Sequence, residues 1–280
     1  MDIDYLRTWI GRQENAAELV SQRLVHQFNA TFDLKGGSEN GSDAPLMIHF
    51  CLAQPVAPTQ KLGDDGHPER GGFLPPIPLS RRMWAGGAVN FHSPLRVGDL
   101  ANRRSTIKDV VLKQGSSGTL YFVTVEHEIT CDSRKVLTER QDIVYRAVQT
   151  PQKKLKENLT LPQKGPDEIY SRIMVPTPTL LFRYSALTFN GHRIHYDFPY
   201  STKVEGYSGL VVHGPLQASV LCHLASELKG AHPTNFRFRS LVPIFDTSPF
   251  TVNAKPDGDG MRLWTAVANG PISMEAYAVW

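Results

Sequence analysis

Four side chains able to move protons or hold water fall within eight positions: Asn190, His192, His195 and Asp197. Glu205, His213 and Gly214 follow shortly after them, and then an apolar run begins at Pro215. An imidazole titrates near neutral pH and passes protons both ways, so His195 is a natural acid–base group. The amide of Asn190 both donates and accepts hydrogen bonds. Asp197 has the chemistry either to orient a histidine or to act as a base. Together these residues form a candidate water-handling site. The alternative on the same residues is a metal set, His192-x-x-His195 with Asp197 or His213. Arg193 argues against it by setting a positive charge beside the ion.

These groups must be positioned, and the run after them supplies the means. Leu216, Val220, Leu221, Leu224 and Leu228 recur at helical spacing. Pro215 suits the first helical position and Gly230 the C-terminal cap, after Lys229 in the last turn. The helix therefore starts at His213-Gly214. Its unpaired N–H groups and dipole attract negative charge, and Gly214 has no side chain to keep a ligand atom away. That is the chemistry of an oxyanion hole for a polarised carbonyl.

The rest of the chain reads as scaffold with one unusual loop. Val20, Leu24, Phe28 and Phe32 predict a helix over residues 16–31, and residues 45–53 read as the start of a buried helix. Residues 54–80 carry too many prolines and glycines for a long helix or a central strand. So long a loop suits a lid or a substrate-lining segment. Arg81 and Arg82, ahead of Trp84 and two glycines, suit an anion site. Residues 105–112, 119–131 and 138–148 read as strands, with a hairpin turn at 114–118.

The second half repeats the order of the first. Phe238–Asp246 lies over Phe91–Asp99 without a gap. The turn at 257–260 stands where 115–118 stood, and the strand with Tyr277 matches the one with Tyr145. This implies a duplicated α+β unit, a long helix on an antiparallel sheet. The polar, proline-punctuated segment between the halves marks a boundary.

Across all 280 residues the apolar fraction is 41%, the charged fraction 20% and the formal charge +3. A sizeable core is expected, and no basic face suggests nucleic acid. The three cysteines, Cys51, Cys131 and Cys222, have no metal-ligand spacing and read as free thiols of a reducing compartment. No secretory signal and no membrane span is evident. The expectation is a cytoplasmic protein.

The stretch Thr188-Phe-Asn-Gly-His-Arg-Ile-His-Tyr-Asp197, followed by Val212-His-Gly214, resembles the hydratase-2 (MaoC-like) family of hot-dog enoyl-thioester hydratases. The phrases RRMWAGG and RYSALTFNGHRIHYD resemble its two-hot-dog branch, which holds mesaconyl-C4-CoA and itaconyl-CoA hydratases and type 2 hydroxyacyl-thioester dehydratases. The resemblance implies a double hot-dog: residues 1–150 a degenerate first domain, 151–180 a linker and 181–280 the catalytic domain. It places the catalytic histidine at His195. Asn190 stands where the family has its catalytic aspartate, and His192 where it has an asparagine. The thioester oxygen would lie near Gly214.

The reaction implied is reversible addition of water to a 2-enoyl-CoA, with no metal or cofactor. The substrate would be a C5 dicarboxylyl ester, with Arg81, Arg82, Arg183 and Arg193 as candidates for its carboxylate. A homodimer is also expected. The rival readings are a hot-dog thioesterase, a non-catalytic acyl-thioester binding protein and a metal hydrolase.

Overall fold

The computed structural model describes residues 2–79, 81–115, 118–147 and 169–280. Its elements are α1 (Ile3–Arg7), β1 (Gln13–Leu19), α2 (Gln22–Phe32), β2 (Arg81–Phe91), β3 (Leu100–Gly115), β4 (Gly118–Cys131) and β5 (Arg134–Arg146). The second half adds β6 (Tyr170–Met174), α3 (Pro178–Leu187), α4 (Gly214–Lys229), β7 (Asn235–Ser240), β8 (Phe250–Asp257), β9 (Gly260–Val267) and β10 (Ile272–Val279). The ten strands form one sheet, ordered β1-β3-β4-β5-β2-β7-β10-β9-β8-β6. Read outward from the β2–β7 seam, the two halves have the same order, as the internal repeat predicted.

The seam is antiparallel and runs from Gly86 opposite Arg239 to Asn90 opposite Asn235. Gly86 permits it, and Gly87 admits β5 on the other side of β2. A Cβ at Gly86 would lie 2.5 Å from the Phe238 carbonyl oxygen, and one at Gly87 2.3 Å from that of Arg140. The glycines after Trp84 therefore serve strand pairing rather than an anion site.

α4 has the predicted boundaries. Pro215 lies in its first turn, and Gly230 caps it at φ 69°. Leu216, Leu221 and Leu224 are buried together with Phe236, Leu263 and Met274 of the sheet. Truncating any of these leucines to alanine removes about 2–5 kcal/mol. The same core runs on into the first half through Phe28, Met47, Ile48 and Val89. Leu228, the last residue of the predicted stripe, is 39% exposed.

Three expectations are corrected. The first helix starts at Gln22, not at residue 16, because Gln13–Leu19 pairs with β3 and Ser21 caps the helix by accepting the Leu24 N–H at 3.1 Å. The buried helix expected at 45–53 is a single 3-10 turn, Ile48–Cys51. It occupies the place in the first half that α4 has in the second. Pro55 and Pro58 follow it, and their missing N–H groups and ring clashes prevent further helical turns. Finally, Tyr170–Met174 falls inside the predicted linker yet pairs with β8 as the sheet's edge strand. The core of that linker, 148–168, and the tip of the 114–118 hairpin lie outside the described residues.

Candidate active site

His195 sits in a short 3-10 turn, Arg193–His195, between α3 and α4. Its Nδ1 lies 2.7 Å from the Val211 carbonyl oxygen, so Nδ1 carries the hydrogen and Nε2 keeps its lone pair. Its ring stacks on that of His213 at 3.6 Å and 19°. Burial pushes the His195 pKa down to about 4, against the Val211 carbonyl, which favours the charged form, and with the His67 ring adding to the fall. The ring is therefore neutral at neutral pH, which is the form a general base needs.

His213 is the N-cap of α4 and is 1% exposed. Its Nε2 meets the Ser185 hydroxyl at 2.8 Å. It lies buried against His195, its ring stacked on that one at the helix start. Beside it, a Cβ at Gly214 would lie 3.4 Å from the Trp84 ring and 3.6 Å from Ser240 Oγ. Trp84 Nε1 and Ser240 Oγ are buried without a hydrogen-bond partner among the described residues. A helix N-terminus and a buried, unpartnered hydroxyl thus lie together where the sequence placed a carbonyl oxygen.

Asn190 spends its Oδ1 inside the turn, accepting the His192 N–H at 3.0 Å, while its own N–H donates to the Ser185 carbonyl. Its side-chain NH2 is left to face a ligand as a donor. Asp197 does not orient His195. It holds Arg193 at 2.8 Å and accepts the Tyr200 N–H at 3.0 Å, and these contacts keep its carboxyl below the usual range. The Val211 carbonyl does the orienting instead. Arg193 is consumed in turn by Asp197, by the Asp64 carbonyl and by the Tyr200 ring 4.1 Å away. A substrate carboxylate has no claim on it.

The other arginines separate clearly. Arg81 pairs with Glu205 at 2.9 Å and lies over the Tyr207 ring, so it locks β2 to the π-helical turn Tyr200–Val204. Arg183 is exposed on α3. Arg82 stands opposite the buried Tyr145 in the β2–β5 ladder and lies close enough to His67 and His192 to disfavour their protonated forms. Of the four candidates, Arg82 is the one whose charge reaches the histidines.

The Pro/Gly-rich loop closes over this turn, as a lining segment would. The Arg193 N–H donates to the Asp65 carbonyl at 2.9 Å. Gly66, at φ 85°, packs so tightly on Gly191 that a Cβ would lie 2.0 Å from the Gly191 oxygen. This contact delivers two residues that sequence reading passed over, Asp65 and His67. Asp65 Oδ2 lies 3.2 Å from His67 Nδ1, and its Oδ1 accepts the His67 N–H at 2.9 Å. His67 faces His192 at 4.2 Å, and His192 meets His195 edge-on at 5.4 Å. The only hint in the sequence was an acid–glycine–histidine triplet inside a loop otherwise made of breakers.

The metal set considered from the sequence does not converge, since Asp197, His195 Nδ1 and His213 Nε2 are committed elsewhere. Among the described residues the donors that do gather are Asp65, His67 and His192, within 4.8 Å of one another.

Residues 47–246 match the family model of hydroxyacyl-thioester dehydratase type 2. The chain belongs to the hydroxyacyl-thioester dehydratase type 2 family. It is accordingly a hydro-lyase. It is 42% identical over 276 residues to the mesaconyl-C(4)-CoA hydratase of Chloroflexus aurantiacus, covering 96% of this chain and 95% of that one. It is 29% identical over 243 residues to the mitochondrial hydroxyacyl-thioester dehydratase type 2 of Schizosaccharomyces pombe, covering 77% and 78%.

Two solved structures show the same fold. A MaoC-like dehydratase from Phytophthora capsici superposes with a TM-score of 0.71 at 14% identity, over 100% of this chain and 99% of that one. A Mycobacterium tuberculosis protein described as a double hotdog superposes with a TM-score of 0.60 at 13% identity, over 99% and 97%. The fold of this dehydratase-family chain is thus a double hot-dog, as the MaoC-like resemblance implied.

Proposed function

We propose that this protein adds water reversibly across the double bond of a 2-enoyl-CoA ester whose acyl group carries a second carboxylate, mesaconyl-C4-CoA or itaconyl-CoA. One observation carries the reading: a neutral imidazole, fixed through Nδ1, is stacked on the residue that opens α4. Water donates a proton to His195 Nε2 while its oxygen attacks Cβ. The π electrons move through Cα onto the thioester oxygen, which the Gly214 N–H at the helix start stabilises. The Asn190 NH2 orients the water. The proton then returns to Cα, and no cofactor enters. Arg82 takes the distal carboxylate. This choice of substrate is supported by the name of the Chloroflexus relative and by the exclusion of Arg81 and Arg193.

Three free, buried cysteines fit a reducing compartment and hence a cytoplasmic enzyme. Among the described residues no helix is long and apolar enough to cross a membrane. A homodimer would have to form elsewhere than at the β2–β7 seam, which already joins the two hot-dog units.

The test is incubation with mesaconyl-C4-CoA, itaconyl-CoA and crotonyl-CoA. The expected result is a mass gain of one water, with the dicarboxylyl esters turned over fastest. Release of free CoA thiol would make the protein a thioesterase. Tight binding without turnover would make it a binding protein.

A further inference from the structure

The imidazolium formed at His195 during turnover needs a counter-charge. Asn190 has none to give, and Asp197 is neutralised by Arg193. The carboxylate that reaches the histidines comes from the other half of the chain. His213, His195, His192 and His67 form a row of rings with successive centroid separations of 3.6, 5.4 and 4.2 Å. Ser185 closes the buried end and Asp65 the outer end.

We propose that Asp65 and His67 are positioning residues for the hydration step, supplying through the histidine row the counter-charge to the proton on His195, in place of the carboxylate missing at position 190. The proposal rests on the hydratase reading. An ionised carboxylate only accepts, so His67 presents Nδ1–H to Asp65 and keeps a basic Nε2. The water O–H bond breaks and its proton moves to His195 Nε2 as the Cβ–O bond forms. The charge stays on His195, and Asp65 opposes it across the intervening His192 and His67 rings. When His195 returns the proton to Cα the enolate is consumed and the imidazole is neutral again. One water is added and nothing is oxidised or reduced.

The ring geometry favours this role over a metal site. Lone pairs lie in the ring plane, and His67 and His192 present faces to one another with planes 40° apart. Asp65 stays ionised despite partial burial, because His67 meets it twice, through its backbone N–H and through Nδ1. The groups facing His67 are Asp65 and Arg70 from its own loop, Arg82 from β2 and His192 from the turn, with His195 behind. Both cations oppose its protonation, which leaves Asp65 as the one group favouring it.

The experiment compares wild type, Asp65→Asn and His67→Gln on mesaconyl-C4-CoA across pH. Asp65→Asn keeps the oxygen that accepts the His67 N–H, so the loop turn persists, and thermal melts confirm that each variant is folded. Both variants are expected to lose about 10²-fold in kcat with KM little changed. In Asp65→Asn the acid limb of kcat moves to lower pH, because removing a negative charge makes the row harder to protonate. A kcat within about threefold of wild type overturns the proposal, on the scale of a catalytic proton transfer. So does a loss that raises KM and leaves the limb in place, which is what a purely structural loop contact produces. Chelator-sensitive activity restored by zinc would overturn it in favour of a metal site. A wild type that hydrates none of the three esters defeats the hydratase reading itself, a result distinct from an active wild type with equally active variants.

Discussion

The His195 ring lies flat on the His213 ring, 3.6 Å away, while the Val211 carbonyl holds its Nδ1. The base is thus fixed in position and tautomer by the two ends of one short segment, Val211 to His213, that leads into α4. It cannot turn without breaking a buried hydrogen bond, and the helix that would receive the enolate oxygen begins at the residue it stacks on. Replacing His195 by Asn should lower kcat by about 10²–10⁴-fold. The stability change should stay near 1–3 kcal/mol, the scale of one buried polar group left unpaired. Steady-state rates together with a denaturant titration check both.

Arg81 and Arg82 are neighbours with opposite assignments. Arg81→Met removes the cation from Glu205 in a partly buried site, leaving it the Tyr200 hydroxyl at 3.3 Å, and should cost roughly 1–3 kcal/mol of stability, with KM little changed. Arg82→Met should raise KM for mesaconyl-C4-CoA at least tenfold, about 1.4 kcal/mol of binding, and leave crotonyl-CoA kinetics nearly untouched. Equal effects of Arg82→Met on the two esters would remove Arg82 from the carboxylate site.

Gly66 and Gly41 both adopt a left-handed backbone, at φ 85° and 83°. Only Gly66 also faces backbone, since a Cβ at Gly41 would meet nothing within 4 Å. Gly41→Ala should cost about 1 kcal/mol and keep full activity. Gly66→Ala must push the loop off Gly191, taking Asp65 and His67 with it. Its activity should fall far more than its melting temperature predicts, as parallel melts and rates would show.

Buried histidines make the fold acid-sensitive. Burial pushes His195 and His223 down to about 4, and lowers His213 further. A histidine that titrates lower in the folded than in the unfolded state, near 6.5, stabilises the fold above that pH. The contribution is lost as pH falls from about 6.5 through 4. His195 and His223 each amount to roughly 3 kcal/mol when fully lost. His223 donates to the Leu46 carbonyl at 2.8 Å and lies outside the site. His223→Gln should keep that donor and flatten the fall in stability between pH 6.5 and 4, as urea titrations at several pH values would show.

Local signals carried the elements that local physics builds. Pro215, the apolar spacing and Gly230 determined α4, because helix ends and faces depend on residues a few positions apart. The alternation of Val, Ile and Thr marked β3, β4 and β5 among the ten described strands, and the order Asn190, His192, His195, Gly214 marked the candidate site. The same local logic failed at Val20, where a stripe continued across the boundary between β1 and α2, since strand pairing with β3 is a long-range contact that periodicity does not register.

What the chain alone left open were the choices between partners. Asp197 was available to His195 or to Arg193, and folding gave it to Arg193. Arg81 found Glu205, whereas Arg82 was left beside the histidines. Asp65 and His67 reached the histidines of the candidate site only when Gly66 met Gly191. Composition and spacing along a chain dictate which conformations each segment prefers. Which carboxylate meets which cation is decided by packing between segments far apart in sequence, and for this hydro-lyase that packing brings a first-half loop against a second-half turn.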